Sequence, residues 1–200
     1  MPKDTGRNDA RSRIAHLAAR LMAEDGIEDY ALAKRKAARQ AGIADARGLP
    51  TNEEVELALK DYQQIYHPEE HRSRLRELRE KALRAMRELA RFNPYLTGSV
   101  LTGNAGKYAD INLQLFTDNV KAVELYLIDR GIPYRAAQCR LYFGAVARTV
   151  PVYTLEEGGT EIELTVLSVR DLRVPLRTSL EGRVIERAKL RAVEQLLAQT

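Results

Sequence analysis

Residues 95–118 read YLTGSVLTGNAGKYADINLQLFTD. Upstream of this stretch the apolar residues recur with helical spacing; downstream they mostly alternate. Over Asp110–Phe116 the alternation is clean, which predicts a strand. Asp110, Asn112 and Gln114 then share one face, with Ile111, Leu113 and Leu115 on the other, toward a core. Pro94–Leu101 reads as a strand running into a Gly98-Ser99 turn, with further glycines at 103 and 106. These glycines do not form a P-loop, because Asn104 follows Gly103 where lysine is required. Gly-x-Gly-x-x-Gly is absent as well.

Beyond Asp118 the chain continues as sheet with helical punctuation. Thr117 or Asp118 is placed to cap a helix with Val120, Val123, Leu127 and Ile128 on its buried face, ending at Arg130-Gly131. Ile132–Phe143 and Val146–Leu155 read as strands joined around Gly144, and Glu156–Gly159 as a hairpin turn. Thr160–Leu167 alternates again, with Glu161, Glu163 and Thr165 on one side and Ile162, Leu164 and Val166 on the other. Arg170–Gly182 is an arginine-bearing loop, and Val184–Ala198 reads as a last amphipathic helix packing through Ile185, Ala188, Ala192, Val193 and Leu196.

Four helices are expected upstream. The first runs from Asp9 to a C-capping Gly26, and the second, Ala31–Ala41, follows a capping Asp29. Thr51-Asn-Glu-Glu54 has the form of a capping box opening a third, whose buried face includes Val55, Ala58, Leu59, Tyr62, Ile65 and Tyr66. Pro68 opens a fourth, reaching about Arg91. KRKAAR, residues 34–39, is the densest basic cluster; it suits a solvated helix face or a weak nucleic-acid contact through helix 31–41. His67 and His71 lack the glutamate of a zinc-protease helix, since Pro68 stands there.

Gly98-Ser99 followed by Asp110-Ile111-Asn112 resembles the signature of the polymerase-β-like nucleotidyltransferase superfamily: Gly-Ser, a spacer, then Asp-x-Asp. The resemblance covers roughly residues 93–170. It implies an α+β fold, with an N-terminal helical module (1–92) packed on a nucleotidyltransferase-like mixed β-sheet with flanking helices (93–200). It further implies transfer of NMP from an NTP to an acceptor hydroxyl, with Mg²⁺ as cofactor. Gly98 and Ser99 would hold phosphates, with Lys107, Arg140 and Arg148 as further phosphate partners, and Arg170 and Arg173 more loosely. The catalytic and metal-binding set would be Asp110, Asn112 and a carboxylate from a later strand, Glu163 or alternatively Glu161. Asn112 stands where the signature has a second carboxylate. An amide oxygen can ligate Mg²⁺ but brings no charge and no base. A rival expectation is therefore a non-catalytic protein of the same fold that binds nucleotide, nucleic acid or a protein partner.

Composition fits either expectation. The 200 residues are 44% hydrophobic and 30% charged with net charge +4, and the basic excess is spread along the chain. No apolar run is long enough to span a bilayer, so no membrane partner is expected. The charged start, MPKDTGRNDARSR, lacks a signal-like apolar region, and Cys139 is the only cysteine. Together these lead to the expectation of a cytoplasmic protein.

Overall fold

The computed structural model of the chain describes residues 5–27, 29–43, 48–66, 68–106, 108–180 and 182–199. It is α+β. The chain divides into two compact units, residues 1–74 with 103–109 and residues 75–102 with 110–200, a division that falls within the fourth helix.

The first unit is helical: α1 (Thr5–Asp25), α2 (Tyr30–Gln40), α3 (Asn52–Tyr66) and the opening turns of α4 (Pro68–Glu88). α1 starts before the expected Asp9 and ends at Gly26, whose φ of 68° only glycine adopts at little cost. A Cβ on Gly26 would lie 2.4 Å from the Tyr108 ring, so this terminus also seats the 103–109 segment. Asp29 caps α2 by accepting from the Leu32 N–H. The capping box at α3 is reciprocal: Glu54 accepts from the Thr51 N–H at 2.6 Å, and Thr51 Oγ1 from the Glu54 N–H at 3.2 Å. Arg11 bonds the same carboxylate and holds Glu54 below the usual carboxylate range. Ile14, Ala18, Ala33, Ala37 and Val55 pack into one core. The side chains of Ile65 and Tyr66, and His67, lie outside the described residues.

The second unit is built on a six-stranded mixed sheet: β1 (Pro94–Thr97), β2 (Ile111–Phe116), β3 (Tyr134–Phe143), β4 (Val146–Glu157), β5 (Thr160–Leu167) and β6 (Leu176–Arg177), in the order β1-β2-β5-β4-β3-β6. Among the described residues, only β2 and β5 pair in parallel. The connecting helices are α5 (Gly98–Thr102), α6 (Val120–Asp129) and α7 (Leu190–Ala198). One sheet face carries Leu96, Ile111, Leu113, Leu115, Ile162 and Leu164, all buried. Leu78, Ala82 and Met86 make the buried stripe of α4, and Leu89, just past its end, continues it.

Two buried cations on α4 tie the unit together. Arg79 donates to the carbonyls of Val100 (3.3 Å), Leu101 (3.4 Å) and Leu196 (3.3 Å), in the last turns of α5 and α7. Lys81 donates to Thr160 Oγ1 (2.8 Å) and the Gly158 carbonyl (3.1 Å), and pairs with Glu77. It thereby fixes the β4–β5 turn, where Gly158 and Gly159 both have positive φ.

Several elements differ from the sequence-based expectation. The strand from Pro94 stops at Thr97, and residues 98–102 are helical. Asn119, not Thr117 or Asp118, caps α6 by accepting from the Ala122 N–H; Asp118 instead accepts from Ser168. Tyr126 takes the buried position expected of Ile128, because its hydroxyl reaches the Glu88 carbonyl at 3.1 Å. The final helix starts only at Leu190. Residues before it run extended, and Ala188 exchanges two backbone hydrogen bonds with Leu96 at the outer edge of β1.

Replacing Lys81 by methionine keeps the volume but leaves two acceptors at the turn without their donor. The expected cost is about 2–3 kcal/mol, measured by denaturant unfolding, with hydrogen-exchange protection lost first in the β4–β5 hairpin. An unchanged midpoint would show that the lysine contributes no net stability.

Candidate functional site

The strand register brings Thr97, Asn112, Glu163, Thr154 and Arg135 into one row across β1, β2, β5, β4 and β3. Asp110 and Glu161 stand one pleat earlier on the same face. Neighbouring strands lie about 5 Å apart, so Asp110, Asn112, Glu161 and Glu163 form one acidic patch at the entry of β2. Further along, this face turns apolar: Tyr95, Phe116, Leu141, Phe143, Val150, Leu167 and Leu176 form a second cluster. Gln114, at the transition, is buried, and its Oε1 has no hydrogen-bond partner.

Burial and like charge act together on the carboxylates. Burial raises the proton affinity of Asp110 above the ordinary value and Glu161 raises it further, while Arg135 works in the opposite direction. Glu163 is pushed up by burial, then by Asp110 and by Glu161. Glu161, the more exposed of the three, is ion-paired with Arg135. The same burial, aided by Glu163, raises the Cys139 thiol.

Gly98 is the hinge between β1 and α5. Its φ is 72°, and a Cβ there would stand 3.3 Å from Asn112 Nδ2. The Asn112 amide in turn donates to the Asp110 carbonyl at 3.5 Å, and Thr97 Oγ1 donates to the Asn112 carbonyl at 3.3 Å. Gly98, Asn112 and Asp110 are thus brought together, with Ser99 half-buried next in the chain.

The arginines expected at this site fall elsewhere. Arg140 alternates with Cys139 and Leu141, so it projects from the opposite face of β3, where it lies 5.7 Å from the Tyr142 ring centre. Arg148 shares the acidic face but lies three pleats from Thr154 along β4, roughly 20 Å away at strand rise. There it pairs with Asp171 and stacks 3.3 Å from the Phe143 ring centre. Arg170 and Arg173 belong to a 3₁₀ turn that follows the far end of β5. Lys107 lies outside the described residues. In the basic helix, Arg35, Lys36 and Arg39 are exposed, and Lys34 reaches Asn52 Oδ1 at 2.8 Å.

Sequence reasoning missed Arg135, Arg187 and Lys189. Arg187 and Lys189 flank Ala188 on the face shared by Thr97 and Tyr95; they lie 5.4 Å from the Phe116 ring centre and 5.6 Å from that of Tyr95. The basic–apolar–basic alternation over 187–189 was the available signal.

Among the described residues, no group of three or more His, Cys, Asp or Glu side chains is arranged to hold a metal ion. Asp110 and Glu163 with the Asn112 amide offer two carboxylates and a neutral oxygen. That donor set fits Mg²⁺ shared with a phosphate ligand, since Mg²⁺ is commonly held by one or two carboxylates plus substrate oxygens and water. No described helix is long and apolar enough to cross a membrane. No protein-family model matches the chain, and no curated protein matches it.

Glu163 binds its proton more tightly in the folded state than in an unfolded chain. Its contribution to stability therefore falls as pH rises through the carboxylate range toward the raised folded value. Glu163→Gln is expected to melt above the parent at pH 7 in EDTA, with the gap closing toward pH 4. A variant that melts below the parent at pH 7 would show that the charge is fully compensated.

Gly98→Ala forces a side chain into the left-handed region against Asn112. It is expected to lower unfolding stability by about 1–2 kcal/mol. Undiminished stability would mean that the turn relaxes without cost.

Proposed function

We propose that this chain is a Mg²⁺-dependent nucleotidyltransferase of the polymerase-β-like kind, moving NMP from an NTP to an acceptor hydroxyl. The observation that carries the proposal is the juxtaposition of Asp110 and Glu163, half-buried and electrostatically opposed, beside the left-handed Gly98. Two carboxylates held together at this cost are what a divalent cation relieves.

In this proposal Asp110, Glu163 and the Asn112 amide oxygen hold Mg²⁺, which neutralises charge on the triphosphate when bound. Gly98 and Ser99 receive the β- and γ-phosphates. The absence of a side chain on Gly98 keeps the backbone open to phosphate oxygens. The acceptor oxygen attacks the α-phosphorus, the bond from that phosphorus to the α,β-bridging oxygen breaks, and pyrophosphate leaves. The hydroxyl proton passes to solvent water. Arg135 holds Glu161 aside and moderates the charge on Asp110.

The second reading, nucleotide binding without turnover, draws on Asn112, where a second strand carboxylate would be needed for full metal activation. Thermal-shift titration with the four NTPs, with and without Mg²⁺, combined with pyrophosphate release, separates the two. The expected outcome is a Mg²⁺-dependent rise in melting temperature for at least one NTP, with about 3 kcal/mol of stabilisation at a hundredfold excess over Kd. Pyrophosphate release and loss of both effects in Asp110→Ala should accompany it. Binding without pyrophosphate release selects the second reading. No Mg²⁺-dependent NTP effect in the parent would remove both.

A further inference from the structure

The two ends of the six-stranded sheet are finished differently. At β1, Ala188 exchanges two backbone hydrogen bonds with Leu96. At the other end, β6 pairs only with Tyr142 and Phe143 of β3. Among the described residues, positions 134–141 of β3 therefore pair with β4 on one side and with no strand on the other.

Which backbone groups face that open side is fixed by the hairpin. The Gly144 N–H donates to the Pro175 carbonyl and Tyr142 pairs with Arg177, so even-numbered residues turn their backbone groups away from β4. The β3–β4 register runs without a bulge, so the same holds back to Tyr134. Tyr134, Ala136, Gln138 and Arg140 thus present N–H and C=O groups along an open edge. Such edges are normally blunted by proline, lysine, a bulge or short length. Residues 134–141 contain no proline or lysine, and Ala136, Ala137 and Gln138 at their middle are uncharged and exposed.

This edge is complementary to itself. An antiparallel pair centred on Ala137 sets Ala136 against Gln138 and Tyr134 against Arg140, and all four outward-facing residues exchange backbone hydrogen bonds. Arg135 then faces Cys139, so no arginine meets an arginine. Tyr134 Oη donates to Glu124 Oε1 at 3.0 Å, so Arg140 of a second copy arrives beside an aromatic ring and a carboxylate, both of which favour a cation. Centring on Gln138 would require Tyr142, which β6 already holds. Centring on Ala136 would set Arg140 against Ile132, outside the strand. We infer that two copies of this chain join through β3, antiparallel about a twofold axis at Ala137, so that one sheet continues into the other. The inference goes beyond nucleotidyl transfer and stands whether or not that reading holds.

Sedimentation velocity of the full chain over a dilution series tests it, together with a disulfide that reports the register. The parent is expected to show a reversible monomer–dimer equilibrium. Gln138→Pro removes an outward N–H and spares the bonds to β4, and Ala137→Lys sets two lysines face to face at the axis. Each should weaken the dimer by about tenfold or more with the circular dichroism spectrum unchanged; Ala137→Lys decides the matter if Gln138→Pro does not fold. In a Cys139→Ser background, Ala137→Cys should link two chains on mild oxidation, because directly opposed residues stand within disulfide reach. Ala136→Cys in the same background should not, since its counterpart lies two residues along the strand. A parent that stays monomeric throughout, which would leave the edge to water or to a foreign strand, overturns the inference. So does a dimer undiminished in a folded variant, or linkage at 136 as ready as at 137.

Discussion

The burial of Arg79 is the constraint on which the second unit depends. The residue is 6% exposed, and burial lowers its pKa, so the charge is held inside at a cost. What offsets that cost is a set of carbonyls in the last turns of two helices, two from α5 and one from α7, which carry partial negative charge. A helix of five residues cannot persist on its own. α5 is therefore held from its C-terminal end by a cation on α4, and its N-terminal end is Gly98. Two residues along α4, Lys81 anchors the turn that leads into β5. Side chains at i and i+2 leave a helix in widely different directions. One helix thus fixes both limbs of the acidic patch, the Gly98 turn and the strand bearing Glu161 and Glu163.

Along the acidic face, polarity changes with cover. At the entry of β2 and β5 the outward positions are Asp110, Asn112, Glu161 and Glu163. At the exit they are Phe116 and Leu167, packed with Tyr95, Leu141 and Leu176 and with Leu172, Val174 and Ile185. The same alternation that exposes the first residues buries the last, because the segment after β5 folds back over one end only. The carboxylates therefore lie at the border of an apolar cluster. That is why burial, rather than neighbouring charge, is the larger influence on both Asp110 and Glu163. Arg135 tempers the repulsion from the neighbouring strand without joining the Asp110–Glu163 pair.

Elements governed by local rules were legible in the sequence. The Asp29 cap, the Thr51–Glu54 box, Pro68 at the head of α4, and the alternation of β2 and β5 are set by residues within four positions of one another. So was the sharing of a face by Asp110 and Asn112, and by Glu161 and Glu163, since the period of a strand fixes it; that the two pairs meet follows from the parallel register of β2 and β5. Elements governed by distant partners were not legible. α5 follows from Arg79, and the extended Arg187–Lys189 segment follows from the free edge of β1 at Leu96. That segment, Arg187-Ala188-Lys189, satisfies helical and extended patterns alike until a strand edge claims its backbone. The arginines were misplaced for a related reason. Composition does not reveal which face of β3 carries Arg140, nor that Arg148 is drawn to Asp171 and Phe143 at the far end of β4.

Asn112 is more than a missing carboxylate. Its Nδ2 donates to the Asp110 carbonyl and faces the bare Cα of Gly98. A carboxylate at this position could not make that donation. It would set an anionic oxygen against a carbonyl oxygen, between two carboxylates whose proton affinities are already raised. The amide closes the start of β2 onto the Gly98 turn without added charge. A site with aspartate at 112 would need a cation to hold the same backbone, whereas this one keeps its shape with two carboxylates and an amide. The geometry of the turn and the charge of the site are thereby separable: Asn112 supplies the first, and Asp110 with Glu163 the second.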